Sequence, residues 1–368
     1  MNGRSLTFDT AVSMIVFPHA KINLGLHVLE KPPGGKGFHA IETVLVPIAY
    51  HDILEVIPSR DGRTRLHLSG RRIDYASRQT DSAGEQTDGA SERTDSASER
   101  TDSASQRTDG ASQRTDGSGQ QTDGASQRTD GASGQNLVMK ALTLVDQLLS
   151  EQRREAPRGQ AESTDGKMPA SLPPLHIFLH KNIPPGSGLG GGSADGTFML
   201  QLLDKHFSLG LDMQALHHLS ARLGSDCPFF LHRNPMLATG RGDRLESMPV
   251  DQLKGFRLLV VTPPIQINTG YAYSLVKARG ETPGLKTILS RRAEEWPGHL
   301  ENDFEGPIFK LYPVLKAIKE QLMAFGASYA SMSGSGSSLY GLFRTMPSMA
   351  ALCQAFPACH VREATPIL

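Results

Sequence analysis

The sequence has few cysteines and no excess of charge, and both absences narrow its possible functions. Three cysteines in 368 residues are too few and too poorly spaced for a disulfide framework or a zinc site, which favours a reducing, cytoplasmic location. The 38 basic residues balance the 38 acidic ones, so there is no electrostatic footprint for a nucleic acid or an anionic membrane. A small-molecule substrate is therefore expected.

Long apolar runs are also missing. No stretch reaches the roughly 18 apolar residues that cross a bilayer, and residues 1–13 have no apolar core, so we expect no signal peptide but a disordered N-terminal extension. The chain length and 38% apolar content suit one large domain or, more readily, two ordinary domains.

The standard nucleotide-binding motifs are absent as well, although a glycine-rich loop is present at residues 184–196. The loop does not end in the Gly-Lys-Ser/Thr that closes a Walker A motif. It also does not follow the first strand of a fold, which is where a Rossmann fingerprint lies. A strand-like segment (175–180) precedes this loop and an apolar helix follows it, an order that presents glycine backbone and free helix amides to phosphate. A flexible linker would be glycine-rich too, but the stiff Pro184-Pro185 entry and the helical spacing after residue 197 disfavour it.

Residues 17–28 alternate apolar and polar side chains, which predicts a strand with Lys21 and Asn23 on one face and Ile22, Leu24 and Leu26 in the core. A lone lysine there is also compatible with a solvated edge charge. Further on, Asp226 lies in a Gly-Ser-Asp-Cys-Pro turn before an apolar run. It is either a helix cap or a general base, and a base needs a cationic neighbour such as Lys21.

Residues 77–134 repeat a polar unit every seven residues, with threonine at a fixed position. A coiled coil would need two apolar residues per heptad, and here only alanine is available. Without apolar surface the segment cannot offset its chain entropy, so we predict a disordered insertion.

Other segments predict ordered structure on both sides of this insertion. Residues 52–57 and 65–68 look like a strand pair, and Asn136 is a good N-cap for a helix over 136–149. After a hairpin-like turn at 239–243, a new unit begins with a strand near residue 256.

Taken together, four ordered motifs resemble those of the GHMP kinase superfamily: Ala20 to Leu24, Gly188 to Asp195, Gly224 to Pro228 and Ser333 to Gly336. The resemblance implies an α+β two-domain fold. An N-terminal ribosomal-protein-S5-like α/β domain (14–250) would carry the disordered insertion, and a C-terminal ferredoxin-like domain (251–368) would complete the active-site cleft.

Within the superfamily, the triple glycine before Ser193 and the Gly-Phe-His and Asn-Asp-Phe-Glu segments indicate one activity. The resemblance implies ATP- and Mg²⁺-dependent phosphorylation of the 2-hydroxyl of a cytidine-diphosphate-linked methylerythritol in the non-mevalonate isoprenoid pathway, by a monomer or homodimer. The alternatives are a kinase for another small alcohol, such as homoserine or mevalonate, and a non-catalytic nucleotide-binding protein.

The resemblance also implies roles for single residues. Lys21 and Asp226 would be catalytic, with Asp226 as the base. Substrate contacts would come from Asn23, Phe38, His39, Thr269 and Tyr273, where Phe38 replaces the family's usual tyrosine. ATP would contact Pro185, Gly186, Ser187, Gly188, Leu189, Gly190, Gly191, Gly192, Ser193, Ala194, Lys181, Asn136 and Leu137, and no metal ligand is assigned.

Overall fold

The computed structural model describes residues 13–30, 39–70, 136–155, 169, 171–280 and 283–368. Residues 1–12 of the expected N-terminal extension, the repeat tract and Phe38 lie outside these ranges. The strands are β1 (Met14–Val16), β2 (His19–Leu29), β3 (Ala40–His51), β4 (Ile53–Pro58), β5 (Arg65–Gly70), β6 (Leu175–Lys181), β7 (Met236–Thr239), β8 (Arg244–Ser247), β9 (Arg257–Thr262), β10 (Tyr329–Met332), β11 (Leu339–Phe343) and β12 (His360–Ala364). The helices are α1 (Leu137–Glu155), α2 (Gly191–Phe207), α3 (Met213–Leu223), α4 (Thr269–Leu275), α5 (Leu285–Leu289), α6 (Glu305–Leu311), α7 (Pro313–Ala324) and α8 (Met349–Ala355).

Three four-stranded sheets organise these elements, in the orders β1-β4-β6-β5, β2-β3-β7-β8 and β10-β11-β9-β12. The third sheet is antiparallel throughout and follows a strand-helix-strand-strand-helix-strand path, which confirms the ferredoxin-like prediction. The expected pairing of β4 with β5 is wrong. Both strands pair with β6, which lies between them, antiparallel to β4 and parallel to β5.

Helices α1, α2 and α3 pack on the first sheet around an apolar core. The spacing argument for α2 is correct, because Met199, Leu202 and Leu203 are fully buried and Phe198 is half-buried. No helix in the described part of the chain is long and apolar enough to cross a bilayer.

Strand β2 departs from simple alternation. Ile22 and Leu24 belong to one core cluster, as expected, but the register against β3 shifts between Leu24 and Leu26. Gly25 forms this bulge with a φ of 70°. Leu26 consequently packs in a different core cluster and borders the same cavity as Lys21 and Asn23, which the expected period of two did not foresee.

Gly196 lies at a close contact between α1 and α2. A Cβ atom added to it would lie 2.9 Å from the Leu137 Cβ atom and 3.2 Å from the Leu137 carbonyl oxygen. Packing therefore explains why a glycine occupies this helix position, because the start of α1 lies directly against it.

We predict that Gly196→Ala destabilises the protein although alanine is the better helix former. Overpacking against Leu137 costs about 1–3 kcal/mol, which exceeds the helix-propensity gain of up to about 1 kcal/mol. Chemical denaturation measures the change. Gly192→Ala on the same helix is the control, because a Cβ there meets nothing within 4 Å and should leave stability unchanged or raised. Equal effects of the two substitutions would contradict the packing explanation.

Candidate active site

Lys21 and Asp226 come together although 204 positions separate them in the sequence. Lys21 projects from β2, and Asp226 directly precedes a 3-10 turn (Cys227–Leu231). The Lys21 Nζ atom lies 3.7 Å from the Asp226 Oδ2 atom, and the two side chains are 4% and 48% exposed, respectively. Burial lowers the pKa of the Lys21 ammonium, and Asp226 opposes that shift. One partner is thus a buried cation and the other an accessible carboxylate.

The helix-cap interpretation of Asp226 is only half correct. Asp226 occupies the cap position of the 3-10 turn, but its side chain makes no capping hydrogen bond there. The carboxylate is instead turned toward Lys21 and borders a cavity. Its geometry therefore fits the general-base interpretation.

A chain of hydrogen bonds holds Lys21 in place. The ammonium donates to the Asn23 Oδ1 atom at 2.5 Å, and the Asn23 Nδ2 atom donates to the Thr43 hydroxyl at 3.0 Å. The Thr43 hydroxyl in turn donates to the Gly25 carbonyl oxygen at 2.6 Å. These bonds fix the side-chain orientations on adjacent strands β2 and β3.

The glycine loop leads from β6 into α2 and reaches the same cavity. Gly190 ends it with a φ of 73°, and no side chain among the described residues caps the first turn of α2. The amides at this helix start are therefore available to an anion, which the helix dipole also favours. A Cβ atom at Gly190 would lie 3.1 Å from the Lys21 Cγ atom, so a glycine here lets the loop lie against the lysine.

A second loop, residues 333–338, closes against the glycine loop from the C-terminal sheet. The Ser333 hydroxyl donates to the Gly188 carbonyl oxygen at 2.9 Å, and the Ser338 amide donates to the Ser187 carbonyl oxygen at 3.0 Å. The Asn302 side chain supports this loop by donating to the Gly334 carbonyl oxygen at 2.8 Å. The two glycine-containing loops thus form one continuous wall.

Together these elements enclose a cavity of about 180 Å³. Thr269 and Tyr273 border it on α4, and the Thr269 hydroxyl lies 3.1 Å from the Ser335 hydroxyl. The Tyr273 ring meets the Phe304 ring edge to face, with 4.9 Å between centroids. Burial raises the pKa of Tyr273 to about 12, so it is a neutral phenol at physiological pH. The residues that border the cavity are Lys21, Asn23, Leu26, Ile41, Thr43, Leu45, Gly186, Gly188, Gly190, Asp226, Ala238, Gly242, Ile267, Thr269, Tyr273, Phe304, Gly334, Ser335 and Gly336.

Some predicted site residues lie elsewhere. The His39 ring nitrogen is 3.4 Å from the Leu29 carbonyl oxygen, and His39 does not border this cavity. Asn136 caps α1 by accepting from the Val138 amide at 2.9 Å, and Leu137 packs on Gly196. The Lys181 ammonium binds two carboxylates behind the glycine loop.

Three residues that support the site had no role predicted from the sequence. Phe304 had a signal, since it lies inside the Asn-Asp-Phe-Glu segment, but no role was assigned to it. Ser333 opens a recognised motif, yet its bond to Gly188 joins two loops far apart in the chain. Thr43 gave no signal, because its role depends on its position beside Asn23 across the β2-β3 pair.

Two family models match the chain, in the same order as the two predicted domains. Residues 136–234 match the family model of the GHMP kinase N-terminal domain, and residues 285–359 match that of the GHMP kinase C-terminal domain.

Among the residues that the structure describes, no group of three or more histidine, cysteine, aspartate or glutamate side chains is arranged to hold a metal ion.

Curated relatives and solved structures are similar over nearly the whole chain. A 4-diphosphocytidyl-2-C-methyl-D-erythritol kinase of Bacteroides fragilis is 36% identical over 333 residues, covering 90% of this chain and 92% of the relative. The kinase of that name from Porphyromonas gingivalis is 36% identical over 346 residues, covering 93% and 97%. A crystal structure of 4-(cytidine 5'-diphospho)-2C-methyl-D-erythritol kinase shares the fold, with a TM-score of 0.61, 24% identity and coverage of 96% and 99%. A homoserine kinase structure from Cytophaga hutchinsonii has a TM-score of 0.56 at 14% identity, with coverage of 99% and 98%.

We predict that Gly188→Ala is more destabilising than its backbone strain alone explains. Gly188 has a φ of 82°, and an added Cβ would collide with the Ser333 carbonyl oxygen. Left-handed strain costs about 1–2 kcal/mol, and the collision adds about 1–3 kcal/mol. Chemical denaturation should show this excess relative to Gly210→Ala, where φ is 67° and no atom lies within 4 Å of the added Cβ. Equal losses would mean that the two loops do not press together at Gly188.

Proposed function

Because the chain belongs to the GHMP kinases, and among them to the 4-diphosphocytidyl-2-C-methyl-D-erythritol kinases, we propose that it phosphorylates the 2-hydroxyl of 4-diphosphocytidyl-2-C-methyl-D-erythritol with ATP. This reaction belongs to the non-mevalonate route to isoprenoid precursors. The relatives named above support it, since they are at least a third identical over nine tenths of the chain.

The observation that best supports phosphoryl transfer is the position of the Lys21–Asp226 pair. The pair borders the cavity that the glycine loop also reaches, so a nucleotide held by the loop and an alcohol held by the pair would meet there. A nucleotide-binding module without catalysis has no need of a carboxylate beside a buried ammonium.

Lys21 and Asp226 have different roles in the proposed transfer. The substrate hydroxyl oxygen attacks the terminal phosphorus of ATP while the bond from that phosphorus to the bridging oxygen of ADP breaks. The hydroxyl proton passes to Asp226, whose half-exposed carboxylate is accessible to it. The Lys21 ammonium, held by Asn23, stabilises the negative charge that develops on the attacking oxygen.

Phosphate binding falls to the glycine loop and the uncapped start of α2, including Gly191, Gly192 and Ser193. Mg²⁺ fits this arrangement, because that ion prefers phosphate oxygens and water and often takes few protein ligands. The loop residues would hold the ion indirectly, through the phosphates that they bind. When bound, Mg²⁺ neutralises phosphate charge.

The cytidine end is assigned to the aromatic part of the site. Tyr273 offers a ring that Phe304 holds edge to face, and we propose that it stacks on the cytosine together with Phe38, which lies outside the described residues. Asn23 and Thr269 would contact the substrate from the cavity wall. We propose that His39 also contacts the substrate, which would require His39 to move toward the cavity when the ligand binds.

The proposal extends to organisation and location. The family models end and begin on either side of residue 250, which supports a domain boundary between residues 250 and 251. We propose a cytoplasmic enzyme, monomeric or homodimeric, that needs neither nucleic acid nor membrane, because both of its substrates are water-soluble phosphates.

ADP release from Mg²⁺-ATP tests the substrate directly. We expect release with 4-diphosphocytidyl-2-C-methyl-D-erythritol and none above background with mevalonate or homoserine, because only the first carries a base for the aromatic wall. Release with one of the other alcohols would reassign the substrate within the family. ATP binding without release from any alcohol would support the non-catalytic alternative.

Asp226→Asn should lower kcat by about 10²- to 10⁴-fold, because the amide cannot accept the hydroxyl proton. ATP affinity, measured by calorimetry, should stay within a few-fold of the wild type. Asp212→Asn is the control, since Asp212 caps α3 through the Ala215 amide at 2.7 Å and asparagine caps equally well. A collapse of ATP binding in Asp226→Asn would instead mark Asp226 as a structural residue.

A further inference from the structure

Behind the glycine loop, two carboxylates converge on one ammonium. The Lys181 Nζ atom, at the end of β6, donates to the Asp195 Oδ2 atom at 2.5 Å and also to the Asp52 Oδ2 atom. The side chain of Asp52 is 0% exposed, that of Asp195 4% and that of Lys181 15%. Two negative charges beside one positive charge would leave this buried cluster with a net charge of −1.

The two carboxylates are not equally provided with hydrogen-bond donors. The Asp52 Oδ1 atom accepts from the Asn182 amide at 2.6 Å and the Ile183 amide at 2.8 Å, in addition to the lysine on Oδ2. The Asp195 Oδ1 atom is buried and has no hydrogen-bond partner among the described residues. Three donors therefore stabilise a charge on Asp52, whereas only the shared lysine does so on Asp195.

A buried charge without donors is costly, so one of two neighbouring carboxylates takes up a proton. The donor count places the charge on Asp52 and the proton on Asp195. Burial raises the pKa of Asp195 to about 8, with Lys181 opposing the rise and Asp52 adding to it. Although burial acts against it, the two carboxylates also raise the pKa of Lys181, which remains an ammonium.

We propose that Asp195 is held as a neutral carboxylic acid that shares Lys181 with the ionised Asp52, so that the cluster beneath the phosphate-binding loop carries no net charge. The location gives this neutrality a consequence. A Cβ atom at Gly191, the first residue of α2, would lie 3.3 Å from the Lys181 Nζ atom. An ionised Asp195 would place uncompensated negative charge directly behind the amides that bind phosphate, where it would repel the nucleotide.

In the part of the chain that the structure describes, the other charged groups packed around α2 do not offer a competing partner for Asp195. His51 precedes Asp52, and burial lowers its pKa while Asp52 raises it. The ammonium of Lys140 on α1 donates to the carbonyl oxygens of Arg222 and Leu223. Lys21 and Asp226 pair with each other on the cavity side of the loop. Asp195 is thus a positioning residue that acts through Lys181.

Asp195→Asn tests the protonation state, because asparagine imitates the neutral acid but cannot ionise. In the wild type, the folded state holds a proton that the unfolded chain releases above its carboxyl pKa of about 4, so stability is lost as pH rises from about 4 to 8. The melting temperature of the variant relative to the wild type should therefore increase from pH 5 to pH 8, by at least about 2 °C. A relative melting temperature that stays constant over this range would show that Asp195 is already ionised at pH 5 in both the folded and the unfolded chain, and would overturn the proposal.

Nucleotide binding gives a second readout, which rests on the proposed function. Between pH 7 and pH 9, calorimetry should show ADP affinity falling at least about threefold more in the wild type than in Asp195→Asn. Parallel pH profiles would overturn the link between this charge and phosphate binding. Absence of ADP binding in both proteins would refute the proposed function, while the melting experiment would still decide the protonation state.

Two further variants guard against a purely structural explanation. Asp52→Asn removes the carboxylate that accepts three hydrogen bonds. It should therefore lower the melting temperature at every pH, in contrast to Asp195→Asn. Asp204→Asn lies on the same helix and accepts from the Leu211 amide at 2.9 Å, and its pH profile should parallel the wild type. If Asp195→Asn and Asp52→Asn behaved alike, the unequal roles inferred for the two carboxylates would be wrong.

Discussion

The candidate site is built around one buried ammonium, that of Lys21. Removing a charge from water is costly unless hydrogen bonds and an opposite charge compensate. The structure supplies the Asn23 oxygen at 2.5 Å and the Asp226 carboxylate at 3.7 Å. Because Asp226 itself stays half-exposed, the pair is stable without being closed to a substrate.

Meeting that constraint requires three separate parts of the chain. Strand β2 presents Lys21, the turn after α3 presents Asp226, and the glycine loop packs on the lysine stem through Gly190. The loop at residues 333–338 fixes the glycine loop from the other side. The proposed phosphate site and the proposed catalytic pair are therefore adjacent because the same backbone contacts hold both.

Much of this arrangement was predictable from sequence, because it depends on local patterns. The N-cap at Asn136 and the strand-loop-helix order around Gly190 follow from periodicity and backbone chemistry. Four ordered motifs identified the family. The roles of Lys21 and Asp226 came from that resemblance, and the structure adds that they are neighbours.

What sequence could not provide depends on contacts between distant residues. The insertion of β6 between β4 and β5 is invisible to chain order, since the pairing partner arrives more than a hundred residues later. The bulge at Gly25 changes which side of β2 Leu26 occupies. Likewise, Asp195 lies inside a recognised motif, but its lack of a second donor is evident only once Asp52 and Lys181 are placed beside it.

If Lys21 and Asp226 act as one catalytic unit, a double-mutant cycle should reveal the coupling between them. The kcat for phosphorylation of the cytidyl substrate would be measured for Lys21→Met, Asp226→Asn and the double variant. Residues that act as a unit lose their effect together, so the double variant should be no slower than the slower single variant. If the two losses multiplied, the two residues would act independently, and the proposed catalytic unit would be wrong.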